Sequence, residues 1–148
     1  MAVQVKVVGL DAFLKDLNKY FKEVEKNTTE EMVQWSVRTK SAAQRDVRYR
    51  LGDLHDTIRS EVTNNGLTVE VKAGGINDVN YAPYIEFGTG VGVSDSFLSE
   101  YGLTEYAMDF KGAGDPIFPI PAKSFLFRNG REEFEKSVKN IIKLLQQT

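Results

Sequence analysis

The sequence predicts an α+β fold: a small antiparallel sheet packed against two N-terminal helices and a long C-terminal helix, with a long projecting loop. Three features point to it. Apolar residues recur every three or four positions over 10–24, 32–51 and 127–145, which is the spacing of a helix face. Two short segments alternate with period two on either side of Asn65-Gly66. Over 90–121 no period persists, although aromatics are frequent there. A chain of 148 residues fits one domain, 1–148, and 41% hydrophobic with 27% charged residues is an ordinary globular composition.

Val3-Gln4-Val5-Lys6-Val7 alternates and predicts a first strand that ends at Gly9. A helix over 10–24 follows, with Leu10, Phe13, Leu14, Leu17, Phe21 and Val24 as its apolar stripe. Lys15, Lys19, Lys22 and Lys26, interleaved with Asp16, Glu23 and Glu25, form its wet side. Asn27-Thr28-Thr29-Glu30-Glu31 reads as a break and a restart, because Thr28 with Glu31 makes a capping box. The second helix is expected to run to 49–51 and to bury Met32, Trp35 or Ser36, Thr39, Ala43 and Val47. Trp35 belongs in or near the core. The small Ser36, Ala42 and Ala43 allow another element to approach closely. Arg38, Lys40, Arg45, Arg48 and Arg50 face Asp46 alone, a local basic excess. That excess fits a solvated face, a contact of Arg38, Arg45 and Arg48 with an acidic partner subunit, or a small nucleic-acid-binding or regulatory module using 38–50. No aromatic or glycine pattern supports the last of these.

Gly52 is expected to end the helix. The hairpin strands are placed at 57–62 and 67–72, and Asn65-Gly66 suits a type I′ turn. A two-residue loop would set Glu61 opposite Glu70 and Arg59 opposite Lys72. Like charges directly opposite are destabilising, so a four-residue loop over 63–66, pairing Arg59 with Glu70, is expected. Tyr81-Ala82-Pro83-Tyr84-Ile85-Glu86-Phe87-Gly88 then predicts a short helix, with Pro83 in its first turn and Gly88 in a left-handed conformation at its end. Tyr81, Tyr84 and Ile85 would share one face with Phe87 beside it, and Tyr84 and Phe87 would anchor the stretch in the core. Glu86 among apolar neighbours is expected to have a raised pKa and to serve as a cap or in a hydrogen bond between subunits.

The loop over 90–121 carries Phe97, Tyr101, Tyr106, Phe110 and Phe118. Aromatics in so long a loop point to burial against another chain, and 104–110 could pair with 116–120 as a hairpin. The last helix should start at 124 or 129 and run to 146. Its stripe is Phe127, Arg131, Phe134, Val138, Ile141 and Leu145, widened by Ile142, and should face the sheet.

Several function classes find no support. A net charge of −2 does not fit a general nucleic-acid binder. The chain has no cysteine, so thiol catalysis, disulfides and cysteine zinc sites are excluded. His55 is the single histidine, and a hydrolase built on it has no second residue to support it. Gly88-x-Gly90-x-Gly92 lacks the helix and strand context of a dinucleotide site, and Asp53, Asp56, Asp95, Asp109 and Asp115 lack calcium-loop spacing. No catalytic, cofactor or metal residue is assigned, and no enzyme is expected. No run is long and apolar enough to span a membrane, and the N-terminus does not read as a signal peptide.

The stretch Tyr81-Ala82-Pro83-Tyr84-Ile85-Glu86-Phe87-Gly88-Thr89-Gly90 resembles the signature of the tail-completion, or head-to-tail joining, proteins of long-tailed bacteriophages. Leu51-Gly52-Asp53-Leu54 with Thr57-Ile58 is similar to that family's segment leading into its first hairpin strand. Pro121-Ala122-Lys123-Ser124-Phe125-Leu126 is similar to its approach to the last helix, although Ser124, Phe127 and Arg128 stand where the family often has other residues. In this motif Tyr81, Pro83, Tyr84, Glu86, Phe87, Gly88, Phe125 and Leu126 are packing residues. The resemblance implies a structural virion protein forming a ring at the phage neck, a hexamer being one size in view. Its partners would be other copies of itself, a head-completion or stopper protein, and the tail tube or tail terminator. DNA would only pass through the channel, and the protein would reside in the host cytoplasm during assembly.

Overall fold

The computed structural model describes residues 8–47, 52–76, 79–88, 99–100, 102–103, 105 and 123–147. The fold is α+β, as the sequence predicts, with four helices and one antiparallel hairpin among the described residues. In chain order these are α1 (Leu10–Val47), α2 (Gly52–Thr57), β1 (Arg59–Thr63), a single 3₁₀ turn (Asn64–Gly66), β2 (Thr68–Lys72), α3 (Ala82–Phe87) and α4 (Phe127–Gln147). The expected strand over 3–7 and the expected hairpin over 104–120 lie outside the described residues, apart from Glu105.

The expected break at 27–31 does not occur, because α1 is one continuous helix of 38 residues. No glycine or proline interrupts it there, and the weak helix formers Asn27, Thr28 and Thr29 each cost at most about 0.7 kcal/mol. Packing offsets that cost. Val24, Asn27 and Thr28 line a cleft with Ile141, Leu144 and Leu145 of α4. On another side the hairpin turn comes so close that a side chain at Gly66 would collide with Thr29.

Gly52 starts α2 instead of ending a strand of helix, and Thr57 closes that short helix. The Thr57 hydroxyl donates to Leu54 O at 2.8 Å and accepts from Gly74 N at 2.8 Å, which ties the two ends of the hairpin together.

The hairpin also departs from expectation. Its register pairs Arg59 with Lys72, Glu61 with Glu70 and Thr63 with Thr68. The turn is the one read from Asn65-Gly66: both residues have positive φ, and Leu67 N donates to Asn64 O at 3.1 Å. The like charges are tolerated because each is satisfied by an opposite charge along its own strand or diagonally across the pair. Glu61 accepts from Arg59 Nε at 3.0 Å and from Lys72 Nζ at 2.6 Å, and Lys72 also reaches Glu70 at 2.9 Å. These contacts hold the Glu61 carboxyl below the usual carboxylate range, the Lys72 hydrogen bond first among them.

The core gathers Ala43 and Val47 of α1, Leu54 of α2, Ile58, Val79, Ala82 of α3 and Phe125, with Val71, Ala73, Tyr81, Ile85 and Leu126 packed around them. Its centre thus lies where the C-terminal end of α1 meets the hairpin base and α3. Gly74 is required at that point: its φ is +76°, and an added Cβ would lie 2.9 Å from both Ala82 and the Val79 carbonyl.

α4 runs antiparallel along α1 and does not lie on the sheet as expected. Contacts step from Asp46 with Arg128 and Asn129, through Trp35 with Gly130 and Phe134, to Glu31 with Asn140. The sheet meets α4 at Val71, which shares a groove with Trp35, Phe127 and Phe134. The face α4 turns inward is polar: Asn129, Glu133 and Ser137 are its buried residues.

Candidate functional site

Two arrangements of buried polar groups organise the molecule, and both hold α4. The first is centred on Glu86. Ala82, Glu86 and Phe87 are the buried residues of α3, whereas Tyr81, Tyr84 and Ile85, expected on the buried face, are half-buried. Tyr84 is therefore not the core anchor that Phe87 is, at 1% exposed. The Glu86 carboxylate accepts from Leu126 N at 2.9 Å, Phe127 N at 3.0 Å and Ser124 Oγ at 3.2 Å. The first backbone N–H groups of a helix have no partner inside it, and here a carboxylate forty residues away in sequence supplies one. Backbone bonds from Lys123 N to Ile85 O at 2.8 Å and from Ser124 N to Glu86 O at 3.2 Å extend the same junction. Burial pushes the Glu86 carboxyl above the usual carboxylate range, and the N–H and hydroxyl donors only partly offset it. A neighbouring cavity of about 150 Å³ is lined by Pro83, Glu86, Phe87, Phe125 and Phe127, with the Phe87 and Phe127 rings 5.8 Å apart.

Gly88 follows with φ 72° and ψ 175°. The positive φ was expected, but the extended ψ was not; this is a region open to glycine alone. It turns the chain sharply out of α3 instead of closing a left-handed cap.

The second arrangement is the α1–α4 seam. Arg38 donates to Glu31 at 2.7 Å, to Glu133 at 2.9 Å and to Ser137 Oγ at 2.7 Å, and Asn140 donates to Glu31 at 3.2 Å. Partial burial opposes the charge on Glu31, but the bonds from Arg38, Ser137 and Asn140 outweigh it and hold the carboxyl below the usual range. Glu133 behaves likewise, with burial outweighed by Lys136 and Arg38. Arg38, read from sequence as a contact for an acidic partner, is therefore engaged inside its own chain. Arg45 is exposed, while Arg48, Phe97, Tyr101, Tyr106, Phe110 and Phe118 lie outside the described residues.

Between these two centres lies an apolar groove of about 400 Å³, walled by Trp35, Thr39, Val71, Leu126, Phe127, Gly130 and Phe134. Trp35 Nε1 donates to Gly130 O at 2.8 Å and its ring meets Phe134 edge-on, so it sits half-buried against the C-terminal helix, near the core as expected. Thr39 Oγ1 is the buried side-chain oxygen without a hydrogen-bond partner among the described residues.

His55 Nδ1 lies 2.8 Å from its neighbour Asp56 Oδ1, and His55 is half-buried. Among the described residues no group of three or more His, Asp or Glu side chains could hold a metal ion, and no helix is long and apolar enough to cross a membrane. What the molecule does expose is apolar helix surface. Leu10, Phe13, Leu14 and Phe21 of α1 are 45–60% exposed, and Phe134, Val138, Ile142 and Leu145 of α4 are 37–49% exposed. The sequence revealed these stripes as core-facing. What it could not show is that the fully buried α4 residues at the seam are polar, while much of each stripe stays exposed. Comparison with known protein families, with curated proteins and with solved structures returned no match.

Proposed function

We propose that this chain is a structural subunit of a bacteriophage neck, a tail-completion or head-to-tail joining protein that works as a ring of copies without catalytic turnover. The family is suggested by the resemblance of Tyr81 to Gly90. The observation that carries the assembly role is the exposure of apolar stripes on both long helices, while the buried charges serve to lock those helices together. Exposed apolar surface of this extent on a soluble chain marks an interaction site. Identical chains joined head to tail close into a ring when the rotation permits. In this proposal the ring stands between a head-completion or stopper protein and the tail tube or tail terminator, and DNA passes through it without sequence readout. Arg45 and Arg48 would then meet an acidic neighbour and set register more than affinity.

The test is electron microscopy of the purified protein, alone and with phage tails, together with complementation by variants. Deleting residues 92–114 should leave a folded chain that cannot join heads to tails. Arg45→Glu with Arg48→Glu should weaken assembly more at low salt than at high salt. Normal yields of infectious particles from the deletion variant would remove the loop from the mechanism. Salt-dependent binding to duplex DNA, lost in the same arginine variant, would favour the nucleic-acid-binding alternative.

A further inference from the structure

A backbone nitrogen attacks the preceding asparagine side chain most readily when it belongs to glycine, which has no Cβ to obstruct the approach. The chain holds two such pairs, Asn65-Gly66 and Asn129-Gly130, and the fold treats them oppositely. Asn129 lies in the first turn of α4 and is 6% exposed. Its amide nitrogen donates to Asp46 Oδ2 at 2.7 Å and to Phe125 O, and Gly130 N donates to Leu126 O at 2.8 Å. Side chain and nucleophile are therefore both engaged. Asn65 instead is exposed at the hairpin tip, with Val62, Thr63, Asn64, Leu67 and Thr68 exposed around it. Its φ of 53° and ψ of 36° point the Gly66 nitrogen away from the side chain, so the turn must open before the two meet. A two-stranded hairpin is marginal in water by itself, and its tip opens at a smaller cost than the core does. Freeing Asn129 means undoing the start of α4 where it is tied to α1.

We infer that Asn65 is a site of spontaneous deamidation, and that its isoaspartyl product releases the hairpin tip from α1. In the opened turn, Gly66 N attacks Asn65 Cγ. The Gly66 proton passes through water to the side-chain amide, which leaves as ammonia, and a five-membered imide closes. Water then adds to one of the two imide carbonyls and the ring opens. Addition at Cγ gives aspartate on an unaltered main chain. Addition at the backbone carbonyl carbon of residue 65 leaves the main chain running through Cγ, as isoaspartate. The turn does not accept the two products equally. Asp-Gly suits the same turn as Asn-Gly. Isoaspartate lengthens the main chain inside a turn that has no slack. Leu67 N already reaches Asn64 O at 3.1 Å, and a side chain at Gly66 would collide with the Thr29 methyl. The lengthened turn therefore loses its seat on α1, at the weak helix formers Asn27, Thr28 and Thr29.

This chemistry is independent of any role at a phage neck. Full-length protein, folded and in urea, is held at mildly alkaline pH and sampled for peptide mapping by mass spectrometry. Labelling with an isoaspartyl methyltransferase separates the two products. In the folded chain Asn65 should convert about ten-fold faster than Asn129, and in urea the two should convert alike. An unchanged Asn65 in the folded protein, over a time in which the urea sample converts fully, would overturn the assignment. Equal conversion of both asparagines in the folded chain would overturn it too, because the fold would then not select between them. Release of the tip is read by hydrogen exchange on the purified isoaspartyl form beside Asn65→Asp, which carries the same charge on an ordinary main chain. Amides over 64–68 should exchange about ten-fold faster in the isoaspartyl form than in unmodified protein, and Asn65→Asp should match unmodified protein. Equal exchange in the isoaspartyl form and in Asn65→Asp would show that the tip keeps its seat, and would overturn the release.

Discussion

Glu86 is the residue whose chemistry and position are most tightly bound together. It is 3% exposed, and its oxygens receive the first N–H groups of the α4 approach. Burial raises its pKa, so the folded chain holds this proton more tightly than the unfolded chain does. Stability from this group is therefore greatest below the ordinary carboxylate value, falls as pH rises through the folded value, and is level above it. Glu31 and Glu133 have the opposite sign. Their folded pKa values are lowered, so their stabilisation is present above the ordinary value and is lost as pH falls through the folded values. Urea unfolding followed from acid to neutral pH should show both trends. Glu86→Gln should abolish the decline on the neutral side and leave the acid limb in place. Glu86→Ala should cost on the order of 3 kcal/mol, because buried N–H groups lose their acceptor. A change within error of zero would show that water replaces the carboxylate. Phe87, 1% exposed, should cost about 3–5 kcal/mol when truncated to alanine.

At the scale of elements, the α1–α4 pairing rests on a polar seam. Removing Arg38 alone leaves Glu31 and Glu133 facing each other without their shared cation. Breaking a fully buried pair costs about 3–5 kcal/mol. The Arg38 side chain is 33% exposed, so Arg38→Ala should cost less, on the order of 2 kcal/mol, in thermal or urea unfolding. Replacing the cluster together, with Arg38→Met, Glu31→Leu and Glu133→Leu, should restore most of that loss, because apolar packing often matches a buried ion cluster. Continued instability of the triple variant would show that the seam specifies the α4 orientation as well as its energy. Trp35 reports on the same pairing: its emission maximum should lie to the blue of free tryptophan and move red in Arg38→Ala, since it packs on Gly130 and Phe134.

For the whole molecule, the proposed assembly predicts that stability and self-association depend on different aromatics. Phe87 and Phe125 are buried in the chain, whereas Phe13 and Phe21 face outward on α1. Phe13→Ser with Phe21→Ser should leave the urea midpoint of dilute protein nearly unchanged, within about 0.5 kcal/mol per site. The same change should abolish concentration-dependent sedimentation. A large fall in dilute-protein stability would place these rings in the fold of the single chain.

The sequence by itself determined the α+β class, the helical character of most of 10–47 and of the C-terminal segment, the hairpin with its turn at Asn65-Gly66, the short helix with Pro83 in its first turn, and a raised pKa for Glu86. These follow from local chemistry: period, turn residues, and a carboxylate set among apolar neighbours. Tertiary structure decided the rest. It kept α1 unbroken through Asn27-Thr28-Thr29 because α4 and the hairpin turn pack against that stretch. It chose the like-charged hairpin register because Glu61 reaches Lys72 diagonally across the strands and Arg59 along its own strand. It drew Arg38 inward, where Glu31, Glu133 and Ser137 satisfy it across two helices, and it left Leu10, Phe13, Leu14 and Phe21 exposed because α4 packs against α1 only from Val24 onward. Helical period shows which residues share a face. Which face is buried depends on partners far away in the chain, and spacing along the sequence carries no record of them.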